Sequence, residues 1–430
     1  MNQLGKGCNI VVIGGGWSGC AAAVEARKLG AQVTLLERTD MLLGTGLVGG
    51  IMRNNGRFTA TEEMIAMGGG ELFSVISKHL RHQNVDFPGH KHADLYDVAT
   101  ISGAVQRFLS KIGVTVVLTC RITKVEMEDN RILSVQNAEG DEWHGDAFID
   151  TTGSAGPMNN CTKYGKGCAM CILRCPSFGG RISVSALSGV KEMCGSNREG
   201  TTGAMSGACK LFKESLSADI RNRLTRDGVV IVPVPDTLRQ DHLKIKCCQQ
   251  YALPQFRDNL VILDTGHAKL MTPFYPLELL HQISGFENAR YEDPYAGGKA
   301  NSMRFFAIAP RNDALQVKER ENLFCAGEKA GLLVGHTEAI VTGVLAGFNS
   351  VCSCIGKAQL VLSDTTAIGD AIAFTRKAME SESGRAGKYT FSGSVFFQRM
   401  KERGVYSTDP VQIRRRIAQA GLENVFAGIL

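Results

Sequence analysis

Four cysteines are spaced for shared chemistry. They read Cys161-x6-Cys168-x2-Cys171-x3-Cys175, followed at once by Pro176. Thiolates three and four residues apart can reach one centre from a single loop, and a trailing proline fixes the loop's exit, as in half of a bacterial ferredoxin run. The pattern fits an iron–sulfur cluster of the four-iron type (4Fe-4S), with Cys161 or Cys194 as the fourth ligand. Three other readings stay open. Cys168 and Cys171 form a C-x-x-C, the spacing of a catalytic dithiol. A structural zinc site uses the same ligand type, and inert thiols would need no common centre. Gly165 and Gly167 let the backbone fold tightly around the run. Cys247-Cys248 and Cys352-x-Cys354 lack metal spacing and read as core residues.

The second constellation is a phosphate-binding turn. Gly14-Gly15-Gly16-Trp17-Ser18-Gly19 is a G-x-G-x-x-G that follows the apolar run 10–13 and opens a small-residue helical run, 20–29. Gly14 permits the tight turn, Gly16 lets a pyrophosphate approach the backbone, and Gly19 lets helix and strand pack closely. The helix N-terminus offers unpaired N–H groups and partial positive charge to the phosphates. A second apolar run, 33–36, ends on Glu37, placed to accept hydrogen bonds from a ribose. The glycine-rich stretch 38–50 that follows is long for a simple connection and suits a backbone that wraps a flat cofactor.

Other polar candidates are more scattered. His79, His82, His90 and His92 read as a polar loop around Pro88, either substrate-side or solvated. Arg304 and Arg311 precede a late strand and could hold an anionic substrate or pair with neighbouring acids.

These residues need elements to position them. Residues 62–83 and 95–112 carry apolar residues at helical spacing. From 114 to 150 short alternating runs with turn signals predict a β-meander, ending in Asp150-Thr151-Thr152-Gly153. Residues 204–227 read as helix. Residues 229–235, 243–247 and 259–264 read as strands, the first an edge strand because of its prolines, and 277–283 as a short helix. A strand, glycine turn and small-residue helix return over 322–349. Beyond a linker at 350–357 the chain reads as mostly helical.

Composition sets the outer limits. The chain has 430 residues, a formal charge of +6 and fourteen cysteines. No apolar run reaches the ~18 residues of a membrane helix. The opening MNQLGKGCNI has no apolar signal core. A cytoplasmic location is therefore expected, with reduced thiols, metal ligands or redox chemistry in preference to a disulfide framework.

With both glycine motifs in view, the chain resembles the glutathione-reductase-type FAD flavoproteins. It looks most like the glucose-inhibited division protein A family and its relative, the folate- and FAD-dependent tRNA uracil methyltransferase. The resemblance rests on VVIGGGWSGCAAAVEARKLGAQVTLLE, on the DTTG that ends the meander, on HQISGFENARY (281–291), and on ENLFCAGEKAGLLVGHTEAIVTGVLAGFN (321–349). It implies FAD as cofactor. Gly14, Gly16 and Gly19 would meet the pyrophosphate, with Trp17, Ser18, Arg38, Gly44, Val125 and Thr152 around the nucleotide. Glu37 would bind the adenosine ribose, and Gly153 would lie near the adenosine. Gly327 and Glu328 would approach the ribityl chain. Gly335, His336 and Thr337 would sit at the pyrimidine edge of the isoalloxazine, where His336 could act catalytically. The RNA-modifying relatives carry a cysteine in the loop after the second strand, and residues 42–55 here have none. The C-terminal helical region is short beside the tRNA-gripping domain of the division protein.

The expected fold is α/β: a doubly wound Rossmann-like FAD domain with a β-meander (1–155 and 296–352), an inserted cysteine-containing substrate domain (156–295) and a helical C-terminal region (353–430). The expected function is an FAD-dependent oxidoreductase with a cysteine-based redox centre. A folate- and FAD-dependent RNA-modifying enzyme and a flavin-carrying subunit of an electron-transfer complex are the alternatives. Expected partners are a small-molecule or protein redox partner, ahead of RNA and with no membrane, in a homo-oligomer or larger complex.

Overall fold

The computed structural model describes residues 7–163, 174–196, 200–206, 208–241, 243, 251–272, 275–292 and 302–428. The first strand, β1 (Asn9–Ile13), is buried along residues 10–13. A strand covered on both faces reads as a continuous apolar run, and this one does. The chain turns through the glycines into helix Trp17–Lys28 and returns as β2 (Gln32–Leu36), parallel to β1. Next, β3 (Ile51–Met52), β4 (Leu80–Phe87) and β5 (His90–Tyr96) form an antiparallel sheet in the order β3-β5-β4. Helices Gly56–Ala66 and Glu71–Ser77 lie between β3 and β4, and helix Ile101–Lys111 follows β5.

The strand β6 (Thr115–Val117) then pairs with β2. A three-stranded meander follows: β7 (Ile122–Glu128), β8 (Arg131–Asn137) and β9 (Glu142–His144). From it β10 (Ala147–Asp150) returns to lie parallel to β1. Beyond the cysteine region, β11 (Ala204–Ser206) is followed by β12 (Cys209–Leu211), β13 (Val229–Pro233), β14 (Asn259–Asp264) and β15 (Ala268–Leu270). The last four make an antiparallel sheet, β12-β15-β14-β13, over a core of its own that includes Leu224, Ile262 and Phe286. Finally β16 (Ser302–Arg304) pairs with β11, and β17 (Leu323–Cys325) completes the parallel sheet β17-β10-β1-β2-β6.

The long helix His336–Cys354 packs on helix Trp17–Lys28 through small residues. A Cβ on Gly343 would sit 2.2 Å from the carbonyl oxygen of Ser18, and one on Gly347 would sit 2.4 Å from that of Ala22. Backbone thus lies against backbone, and each N-terminus opens on one cleft. Helices Ala367–Met379, Ser394–Glu402 and Pro410–Gln419 follow. Among the described residues no helix is long and apolar enough to cross a membrane.

The structure corrects several expectations. Residues 80–83 belong to β4, and His82, His90 and His92 lie on strands. Pro88-Gly89 closes that hairpin, with Gly89 at φ +74°, the proline-then-glycine order of a tight turn. Of the region 204–227 only Ala218–Asp227 is α-helix; Ser217 caps its start and Gly228, at φ +74°, ends it. The runs at 115–117 and 147–150 belong to the parallel sheet, which leaves three strands in the meander. The supposed linker is largely helix, and Cys354 at its end forms a disulfide with Cys8 beside β1. These two cysteines are 346 residues apart in sequence, so their pairing is invisible to local spacing.

Candidate functional site

One cleft runs from the glycine turn to the N-terminus of the long helix. At the turn each glycine has its own reason. Gly14 sits at φ +104°, and a Cβ there would lie 2.5 Å from the Thr151 carbonyl oxygen at the end of β10. On Gly19 a Cβ would lie 1.9 Å from the Gly14 carbonyl oxygen. Gly16, which caps helix Trp17–Lys28, has nothing within 4 Å of its missing side chain. The packed glycines shape the turn, and the open one faces the cleft. Glu37 closes this end. Its carboxylate accepts from the Gly15 N–H at 2.7 Å and from the Thr39 N–H at 2.8 Å.

The middle of the cleft is built from the ends of β10 and β17. Asp150 is fully buried and accepts from Thr152 and Ser185, which holds the Thr151-Thr152-Gly153 turn. Across it Glu328 accepts from Ser154 Oγ at 3.1 Å and pairs with Arg304. A Cβ on Gly153 would lie 2.3 Å from Arg181 Nη1, so that arginine lies over the turn. Burial pushes the Arg181 guanidinium below its usual range. Its loop is fastened to the Glu37 wall, since Arg38 donates to the Gly179 carbonyl and Arg121 to the Gly180 carbonyl.

The far end carries different chemistry. His336 opens the long helix, and its Nδ1 lies 3.2 Å from the Tyr96 hydroxyl. That hydroxyl gives its one proton to the Gly46 carbonyl at 2.6 Å. Toward that hydroxyl the imidazole is then the donor, and its ring also hydrogen-bonds the Ile51 backbone. Burial, followed by the cations Arg57, Lys269 and Arg304, holds His336 well below the ordinary histidine range. The imidazole also presses on the glycine loop, for a Cβ on Gly49 would lie 1.5 Å from His336 Cε1. Arg57 is bound to Glu338 at 3.0 Å, with side chains 6% and 1% exposed. Lys269 reaches the Val48 carbonyl from β15.

Most residues expected to hold the cofactor line this cleft: Gly14, Gly16, Trp17, Ser18, Glu37, Arg38, Gly44, Thr152, Gly153, Gly327, Glu328, Gly335 and His336. Gly19 instead packs the turn. Thr337 is buried against Met52, and Val125 lies on β7, so neither lines the cleft. Arg304 lies in the cleft wall. Arg311 is 1% exposed and bonds to the carbonyls of Ala330 and Ile372, a structural role. Sequence reasoning passed over Arg57, Tyr96, Tyr251 and Lys269, all of them at or beside the far end. A lysine inside the apolar run Ala268-Lys269-Leu270-Met271 was the available signal.

The cysteine run falls largely outside the described residues. Cys168, Cys171 and the side chain of Cys161 lie outside the described residues. Cys175 is half-buried and Cys194 exposed. Among the described residues no group of three or more His, Cys, Asp or Glu is placed to hold a metal ion.

The family model of glucose inhibited division protein A matches residues 9–255 and 258–358. The fold is similar to that of GidA from Aquifex aeolicus. Its form II crystal structure gives a TM-score of 0.68 at 16% identity, covering 97% of this chain and 74% of that one. Form I gives 0.63 at 14% identity, covering 98% and 78%. The chain belongs to the glucose inhibited division protein A family and is an FAD-dependent enzyme.

Proposed function

We propose that the cleft binds FAD in an extended form and that the chain is an oxidoreductase acting on a small molecule at the His336 end. The observation that carries this reading is the glycine turn: open space at Gly16, between Gly14 and Gly19, which are packed too tightly for a side chain. The Gly16 position with the helix N-terminus would take the pyrophosphate. Glu37 would take the adenosine ribose, and Glu328 the ribityl chain. Bound FAD supplies two-electron, hydride-type chemistry. The start of helix His336–Cys354 offers partial positive charge to a negative flavin edge. His336, held neutral by burial and the neighbouring cations, stands at that edge as an uncharged hydrogen-bonding group. Arg57 and Glu338 fix the helix start, because the Arg57 guanidinium also bonds to the Val334 carbonyl. Purified protein should be yellow and release FAD, not FMN, on denaturation; failure to bind FAD on reconstitution would end the proposal.

The cysteine run forms the second part of the reading, as a redox centre in residues 161–175, either an iron–sulfur cluster or a dithiol. Its support is the spacing of the four thiols. Absorbance and iron content of anaerobically purified protein decide between them, and a spectrum of flavin alone with no reactive thiol pair removes both. Family membership favours RNA modification as the alternative. With residues 42–55 lacking a cysteine, we expect no methylated uracil from tRNA transcripts supplied with methylenetetrahydrofolate. A methylated product formed by the protein alone would establish the alternative.

A further inference from the structure

We propose that Arg181 grips the pyrophosphate of the cofactor, and that the fold leaves its guanidinium without a protein partner for that purpose; this rests on the FAD reading above. Arg181 lies in the cleft wall and is partly buried. Among the described residues its side chain makes no hydrogen bond and no ion pair. The other arginines of this wall are engaged. Arg38 and Arg121 donate to the carbonyls of Gly179 and Gly180, Arg57 pairs with Glu338, and Arg304 pairs with Glu328. The acids whose charge reaches Arg181 are Glu328 and Glu37. Both are committed elsewhere: Glu328 to Arg304 and Ser154, Glu37 to the N–H groups of Gly15 and Thr39. A partly desolvated cation in that position is unfavourable until another anion arrives.

The backbone that carries Arg181 is fastened on both sides. Before it come the two arginine-bound carbonyls. After it Ser183 donates to Glu192 and accepts from Lys329, and Ser185 donates to the buried Asp150 through both its N–H and its hydroxyl. The guanidinium itself lies against the Thr151-Thr152-Gly153 turn, with Nη1 in the space that a Cβ on Gly153 would need. That turn abuts the phosphate-type glycine turn, because Gly14 is packed on the Thr151 carbonyl. Helix Trp17–Lys28 begins here with no side-chain cap and no acid in its first turn. An arginine without a partner and a helix start without a cap therefore border one stretch of the cleft. A guanidinium fork takes two oxygens at once, and the helix N–H groups take others. A pyrophosphate has oxygens enough for both.

Calorimetric titration of the apoprotein with FAD, ADP and adenosine tests the assignment. ADP carries the pyrophosphate without the flavin, and adenosine carries neither. Arg181→Gln should weaken FAD and ADP binding by about 10–100-fold, the loss of one charge-assisted contact, and should leave adenosine unchanged. Arg181→Lys keeps the charge without the fork and should lose less. Added salt should weaken ADP binding more in the wild-type protein than in Arg181→Gln. Urea unfolding of the apoprotein is the second readout: Arg181→Gln should be as stable as the wild type or more so, because no protein partner is lost. Unchanged FAD and ADP affinity in Arg181→Gln would overturn the proposal. An equal loss for adenosine would overturn it too, by placing the guanidinium on the nucleoside. A less stable Arg181→Gln apoprotein would show the arginine to be part of the fold and would also overturn it. Wild-type protein that takes up neither FAD nor ADP would instead strike the reading of the cleft.

Discussion

Gly16→Val separates cofactor binding from folding. Gly16 has φ −68° and ψ −180°, an extended backbone that valine adopts readily. Nothing stands within 4 Å of the new Cβ. The apoprotein should therefore lose only the difference between glycine and valine at a helix cap, about 1 kcal/mol. Bound FAD tells a different story, because the valine methyls would occupy the pyrophosphate's place. Losing two charge-assisted backbone hydrogen bonds at about 1.5–3 kcal/mol each weakens binding by roughly 10²–10⁴-fold. Gly19→Ala is the contrast. Its Cβ would overlap the Gly14 carbonyl at 1.9 Å, so the turn itself must move, at about 1–3 kcal/mol or more. Fluorescence titration of apoprotein with FAD gives the affinity, and urea unfolding without FAD gives the stability. Wild-type FAD affinity in Gly16→Val would refute the placement of the pyrophosphate. A large loss of apoprotein stability in the same variant would refute the claim that the space is open.

Three further outcomes follow from the same geometry. The unfolded His336 imidazole takes up a proton near pH 6.5 and the folded one does so only at much lower pH; its contribution to stability is full above pH 6.5 and lost as pH falls, so His336→Gln should flatten the fall in Tm between neutral and mildly acid pH, and identical pH profiles would contradict this. Arg57→Ala leaves Glu338 buried without its ion-pair partner and should cost about 3–5 kcal/mol in urea unfolding; a change below measurement error would show the pair to be dispensable. Reducing the Cys8–Cys354 disulfide, or replacing Cys354 by serine, should lower stability by about 2–4 kcal/mol, and an unchanged Tm in reductant would mean that the bond adds nothing.

Local pattern made the glycine-turn half of the molecule legible. A buried parallel strand, a glycine turn and a small-residue helix are each written in adjacent residues, so β1, β2 and the helix between them were expected where they occur. The far end of the cleft was not legible in the same way. Lys269 comes from β15, His336 from the start of the long helix and Tyr96 from the end of β5, and only tertiary packing brings them to one end of the cleft. The hairpin β4–β5 was misread because apolar spacing at 62–83 fits a helix, while the stronger signal, Pro88-Gly89, sits at its tip. The disulfide joins residues 346 apart in sequence, a distance over which spacing rules are silent.

The described flanks of the cysteine run bear on what that run can do. On its C-terminal side Arg174 pairs with Asp40, and Arg38 and Arg121 hold the carbonyls of Gly179 and Gly180. All three contacts lie by the Glu37 end of the cleft. On its N-terminal side Asn160 bonds to the Ala155 carbonyl, next to Ser154, which donates to Glu328 at the cleft's middle. The described flanks thus lie at the middle of the cleft and at its Glu37 end, whereas His336 marks the opposite end. A cysteine centre that passes electrons to the flavin would have to lean from these two anchors toward His336. One that stays over its anchors would cover the Glu37 end of the cleft, and on the reading proposed above its chemistry would be felt as cofactor retention.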